Sequence, residues 1–342
     1  MERVNLPGSD ISVSQICVGA WQMNDGQMDG SKTWEGQPFE VSKEIVDKAF
    51  QCGINFFDTA EAYLNSENVL GRIMAGRRKD AVIATKFGYR GGKKTYYTAR
   101  DVEESLSNSL RNLQTDYIDL YQVHWPNIIP ASELEGVVAE LKRQQAKGTI
   151  RGYSVCNFGV KSLQAMLDAG GKPLTNQVGY NLLWRGVEYE IIPKCAENNI
   201  SILPYSPLQQ GLLSGRFKTA DDVPEGRRRT KHFKGTSTSL SRHGGDGAEK
   251  ETFQAIERLR EICRDTGIED MTTMALSWLC QQDRVSSVIT GARTPQQVEA
   301  NSKIVKLSQD IVKQLDAGTD ELKAIFGGDA DLWAPPTNQR IV

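Results

Sequence analysis

"NFFDTAEAYLNSENVLGR", residues 55–72, begins as a short apolar strand and ends in the first turns of a polar helix. An acid, Asp58, closes the apolar run, and a phenol, Tyr63, follows five residues later in the turn. The same strand-then-helix unit recurs along the chain. Apolar, β-branched runs fall at 15–21, 55–60, 81–86, 117–124, 150–157, 176–181, 201–206 and 286–292. Amphipathic stretches lie between them at about 42–52, 66–75, 99–114, 132–147, 160–169, 188–198, 249–265 and 271–282, with 295–303 after the last strand. In "ARDVEESLSNSLRNL", Val102, Leu106, Leu110 and Leu113 form one apolar stripe at helical spacing. Alternation of this kind marks repeated βα units with parallel strands. Eight strands, each followed by helix, favour a closed (β/α)8 barrel over an open sheet.

The 342 residues, 39% hydrophobic and 25% charged, are long enough to bury a large core, and one barrel over residues 1–342 is the expectation. A formal charge of −2 gives no global attraction to nucleic acid or to an anionic membrane, so a small-molecule partner is expected. Six cysteines without a CxxC suit a reduced compartment. With no apolar leader and no apolar run of the ~18 residues a span requires, the expected location is cytoplasmic. Residues 217–248, a long Gly/Ser/Arg-rich stretch without periodicity, are expected over the C-terminal face as either a lid or a disordered loop. The tail 327–342 cannot continue the helix before it, because Gly327-Gly328 and Pro335-Pro336 break it.

In such a barrel the C-terminal ends of the strands converge on one mouth. Asp58 ends the second strand, Lys86 the third and His124 the fourth, with Tyr63 in the turn after the second. Taken singly, each has a plain structural explanation as a cap, a snorkelling lysine or a packed histidine. Together they form a protic cluster in which Lys86 and Asp58 pair to avoid isolated buried charge. A lysine beside a phenol is expected to pull the Tyr63 pKa down from about 10, while His124 orients an acceptor oxygen or passes a proton.

"FFDTAEAY", "IATKFG", "DLYQVHWP" and "YSPLQQGLLSGR" resemble the aldo-keto reductase superfamily across nearly the whole chain. The resemblance implies a TIM barrel with extra helices and an N-terminal β-hairpin. It also implies Asp58, Tyr63, Lys86 and His124 as a catalytic tetrad, and hydride transfer from NADPH to an aldehyde or ketone without a metal. By the same likeness, Cys156, Asn157 and Gln177 would hold the nicotinamide carboxamide, with Tyr205 stacked on its ring and Trp21 nearby. Ser206, Leu208, Gly211 and Ser214 would meet the pyrophosphate, and Gly291, Gln297 and Asn301 the adenosine half. Thr294 reads as an N-cap and Pro295 as the first helical residue, so the helix start plus Arg293 suits a ribose 2′-phosphate. Cys156, Ala300 and Thr290 depart from the family's usual serine, acid and proline.

Trp21, Trp125 and Trp333 are candidate walls of the substrate pocket, favouring aromatic or aliphatic carbonyls. A second reading is a cofactor-binding regulatory subunit, since potassium channel beta subunits share these motifs. A metal-dependent hydrolase fails on inventory, because the three histidines, 124, 232 and 243, have no ligand spacing. Oligomeric state is not legible.

Overall fold

Parallel strands need apolar surface on both faces, and the runs read above provide it: Phe56–Asp58, Val82–Phe87 and Ile118–Val123 are buried at every position. In the computed structural model, which describes residues 1–26, 35–88, 96–268 and 270–342, a hairpin comes first, β1 (Arg3–Asn5) against β2 (Ser12–Ser14). The barrel strands are β3 (Ile16–Gly19), β4 (Phe56–Asp58), β5 (Val82–Phe87), β6 (Ile118–Val123), β7 (Ile150–Cys156), β8 (Thr175–Gly179), β9 (Ser201–Tyr205) and β10 (Val288–Thr290). Between them run α1 (Phe39–Gln51), α2 (Ser66–Ile73), α3 (Ala99–Leu113), α4 (Leu134–Lys147), α5 (Val160–Asp168) and α6 (Ile191–Glu197). Then come α7 (Glu249–Thr266), α8 (Met271–Cys280), α9 (Pro295–Asn301) and α10 (Gln309–Phe326).

The strands pair in parallel in the order β10-β3-β4-β5-β6-β7-β8-β9. Closure between β9 and the start of β10 rests on Ile202 N–H donating to Arg284 O at 2.7 Å and Ser286 N–H donating to Ile202 O at 3.1 Å. This is the expected barrel, with shorter strands than the apolar runs suggest: 286–292 contracts to Val288–Thr290 and 55–60 to Phe56–Asp58.

Alternation along each strand divides the interior into layers. Cys17, Phe56, Ala84, Leu120, Leu203 and Ile289 form an apolar layer, and Leu6, Ile11 and Val13 of the hairpin pack against it from the N-terminal end. The hairpin is thus a plug. Gly152 leaves it room, since a Cβ there would lie 2.5 Å from Leu174 and 3.3 Å from Ile11. Toward the C-terminal end the inward positions become Asp58, Lys86, Gln122, Cys156 and Gln177, with Lys86 opposite Gln122 and Cys156 opposite Gln177 in register.

Residues 217–248 are docked. His232 is fully buried, with its Nε2 at 2.9 Å from Leu183 O and its Nδ1 at 3.0 Å from Thr230 Oγ1. Lys231 pairs with Asp329 and donates its backbone N–H to Leu332 O, tying this segment to the tail. In the tail, the Arg340 guanidinium grips Asp331 with two bonds of 2.7 Å and lies 4.3 Å over the Trp125 ring. Helix α10, the helix expected before the tail but without bounds, packs on α7, where Arg258 Nε donates to Gly318 O at 2.9 Å. Among the described residues no helix is long and apolar enough to cross a membrane.

Candidate active site

Asp58 reaches the mouth because β4 ends on it with its side chain inward, and Lys86 does the same near the end of β5. Lys86 is fully buried, and its Nζ donates to Asp58 Oδ1 at 2.5 Å, Thr59 O at 2.9 Å and Tyr63 Oη at 3.2 Å. An ammonium with three acceptors is satisfied without water. The other Asp58 oxygen accepts from Gln177 Nε2 at 2.9 Å and Gln122 Nε2 at 3.1 Å. Burial alone would drive the Lys86 pKa down, but the adjoining Asp58 charge and the Tyr63 hydroxyl more than offset it, so the group is raised and stays ammonium.

Tyr63 stands half-buried on the turn before α2, its ring stacked on Trp21 at 5.1 Å between centroids and edge-on to His124 at 5.8 Å. The expected fall in its pKa does not occur. Burial raises it, and the Lys86 charge, with its hydrogen bond, offsets only part of that rise. Burial is the dominant cause, and the Asp58 charge, opposing that of Lys86, adds to it. For His124, burial first and the Lys86 charge second push the imidazole down to about 3, against a small opposing contribution from the Gly88 backbone. It is therefore a neutral hydrogen-bonding group at any working pH.

A cavity of about 950 Å³ opens above this layer. Tyr63, His124, Trp21, Trp125 and Trp333 share its wall with Asn157, Gln177, Tyr205, Ser206, Leu208, Gly211 and Ser214. Gly291, Arg293, Gln297 and Asn301 line it from the loop after β10 and from α9. The chain leaves β7 and β9 through left-handed residues, Asn157 at φ 62° and Ser206 at φ 52°, which turn the following backbone across the barrel end. Tyr205 Oη donates to Asn157 Oδ1 at 2.9 Å, and Asn157 Nδ2 donates to His124 O at 3.1 Å. Gly211, at φ 97°, is close-packed: a Cβ would lie 3.2 Å from the Arg216 guanidinium and 3.5 Å from that of Arg227.

Two expected cofactor residues do not line the cavity. Cys156 is 1% exposed, and its thiol, pushed well above the usual range by burial, points to Gln122 Oε1 at 3.5 Å. Thr294 is occupied as the N-cap of α9, accepting from Gln297 N–H, while Gln297 Oε1 accepts from Arg293 N–H at 2.7 Å. Sequence reasoning missed Gln122, Glu61, Arg216 and Arg227. Glu61 accepts from Gly88 N–H and Tyr97 Oη, both at 2.7 Å, and so fixes the chain after β5. Arg216 ends the quoted "YSPLQQGLLSGR" motif, which was its signal. The Arg227 pKa is lowered by burial and then by the charges of Arg216 and Arg293, the latter paired with Glu35 at 3.6 Å. Six arginines line the cavity against two carboxylates, Asp58 and Glu61, although the whole chain has a charge of −2.

The model for the Aldo/keto reductase family matches residues 15–319. The chain belongs to the aldo/keto reductase family. It is 30% identical to aldo-keto reductase YhdN of Bacillus subtilis (strain 168), with the whole of both chains covered. It is 29% identical to the NADH-specific methylglyoxal reductase of Escherichia coli (strain K12), over 88% of this chain and 92% of that one. Among solved structures, aldo-keto reductase AKR11C1 from Bacillus halodurans in its holo form is 25% identical with a TM-score of 0.73, covering 93% of this chain and 96% of that one. Membership makes this chain an oxidoreductase of carbonyl groups that uses a nicotinamide cofactor.

Proposed function

We propose that this aldo/keto reductase is a single-barrel cytoplasmic enzyme that reduces small aldehydes or ketones to alcohols with NADPH. One observation carries the reading: a single buried ammonium, Lys86 Nζ, is bonded at once to Asp58, Thr59 O and the Tyr63 hydroxyl at the wall of the cavity. When bound, the nicotinamide supplies the hydride. Tyr63 Oη donates the proton that completes the alcohol, and Lys86 stabilises the phenolate left behind. His124, neutral, donates a hydrogen bond to the carbonyl oxygen and holds it against Tyr63. Trp21, Trp125 and Trp333 offer flat apolar walls to the rest of the substrate.

The cavity fits a polyanionic dinucleotide. Arg216, Arg227 and Arg293 supply charge for its phosphates, Gly211 lets the backbone approach closely, and Asn157 lies against Tyr205 where a carboxamide would rest. The third arginine favours the extra phosphate of NADPH, even though one relative of 29% identity is named NADH-specific. All six cysteines are free thiols, in keeping with a reducing compartment.

Replacing Tyr63 by phenylalanine tests the assignment. Turnover, followed as loss of NADPH absorbance, is expected to fall by about 10²-fold or more, the range of a lost general acid, while NADPH binding by fluorescence stays unchanged. A Tyr63→Phe enzyme that keeps most of its turnover removes the acid assignment.

A further inference from the structure

A fully buried amide in the barrel interior demands an explanation. Gln122 is 0% exposed and sits at an inward position of β6, two residues above apolar Leu120. Burying an amide costs free energy unless every polar atom finds a partner. Here each does. Nε2 donates to Asp58 Oδ2 at 3.1 Å, and Oε1 accepts from Cys156 Sγ at 3.5 Å and from Gln177 Nε2 at 3.4 Å. The amide has one orientation, because a flip would set its oxygen against the Asp58 carboxylate and its NH2 against two donors.

We infer that Gln122 is a positioning residue that holds Asp58 so that Lys86 remains on Tyr63; this rests on the reading in which Tyr63 is the acid. Two amides serve the same carboxylate oxygen, but they differ in surroundings. Gln177 lines the cavity, where a ligand can compete for its donor, whereas Gln122 lies beneath the wall with its donor on Asp58. An apolar side chain at 122 removes that fixed donor. The carboxylate is then freer to rotate and offer both oxygens to Lys86, drawing Nζ from Tyr63 Oη, the longest of its three bonds at 3.2 Å. Loss of the amide dipole near Asp58 acts in the same sense, since less positive potential remains at the phenol. Both effects make Tyr63 harder to ionise.

The alcohol-oxidising direction reports this directly, because there Tyr63 must accept a proton as phenolate. Full-length Gln122→Met, close to isosteric, is assayed with NADP⁺ and a simple alcohol across pH. The acid limb of kcat is expected to move up by about one pH unit, which is about a tenfold lower rate at a fixed pH below the limb. KM for the alcohol and the NADP⁺ dissociation constant stay unchanged. Gln122→Leu is read in the same way should the methionine variant not fold. A limb that stays in place, whether or not kcat drops, overturns the inference and leaves Gln122 as packing. A Tyr63→Phe enzyme that keeps wild-type turnover overturns the functional reading instead, and that result is seen before any Gln122 variant is made.

Discussion

Replacing Lys86 by methionine separates what the buried charge does for the fold from what it does for the chemistry. Methionine keeps the length of the side chain and removes the ammonium. Asp58, 3% exposed, is left with only the amides of Gln122 and Gln177 as donors. Stranding one partner of a buried ion pair costs about 3–5 kcal/mol. For 342 residues the unfolding entropy near the midpoint is about 0.7 kcal/mol per kelvin, so Tm falls by about 4–7 °C. At 3.2 Å from Tyr63 Oη, the lost charge is worth at most about 5 kcal/mol with an effective dielectric constant near 20, before Asp58's opposing field is counted. A loss of about 10²–10⁴-fold in turnover is therefore expected. The double variant Asp58→Asn/Lys86→Met discriminates between the two effects: with no stranded charge it regains most of the lost Tm, yet stays inactive. Melting by circular dichroism and NADPH oxidation by absorbance give both numbers on the same samples. The reasoning is refuted if Lys86→Met retains turnover within tenfold of wild type, or if the double variant melts no higher than the single one.

Arg293→Ala is expected to weaken NADPH at least tenfold while changing NADH little, measured as dissociation constants by fluorescence; equal losses remove the argument for a 2′-phosphate. Glu67, 3% exposed, accepts from Thr85 Oγ1 at 2.7 Å and Asn112 Nδ2 at 3.1 Å, yet burial outweighs these bonds and raises its pKa above the ordinary 4.5. A raised acid penalises the folded state as pH climbs from the unfolded value through the folded one. Glu67→Gln is thus expected to melt higher than wild type at pH 7–8, with the gap closing below pH 4.5. A gap independent of pH counts against this account.

Much of the site is readable from local pattern because a strand end is a local feature. Asp58, Lys86 and His124 each close an apolar run, and Thr294-Pro295 is a cap that needs no tertiary information. Gln122 was not readable in this way: its role depends on inward parity and on facing Asp58, Cys156 and Gln177 from three other strands. The direction of the Tyr63 pKa shift was misjudged for a related reason, since adjacency to a lysine can be guessed while the balance between burial and pairing requires the packed barrel. Arg227 lies in a segment with no periodicity at all, and only folding brings it beside Arg216 and Arg293. Helix α10 carries Gly318 amid its buried face of Leu315, Thr319 and Leu322, which weakens the apolar signal that would have set its bounds.

The clasp between Arg340 and Asp331 has an evolutionary corollary. Trp333 and Arg340 reach the cavity on a terminal strap whose shape that clasp holds and which Lys231 and the Trp125 ring tie to the barrel, whereas Asp58, Tyr63, Lys86 and His124 sit on barrel strands or the turns beside them. One part of the cavity wall is therefore encoded apart from the protic cluster, while Trp21 and Trp125 stay beside it. Substitutions in the last sixteen residues can reshape that part of the wall while leaving Asp58, Tyr63, Lys86 and His124 untouched.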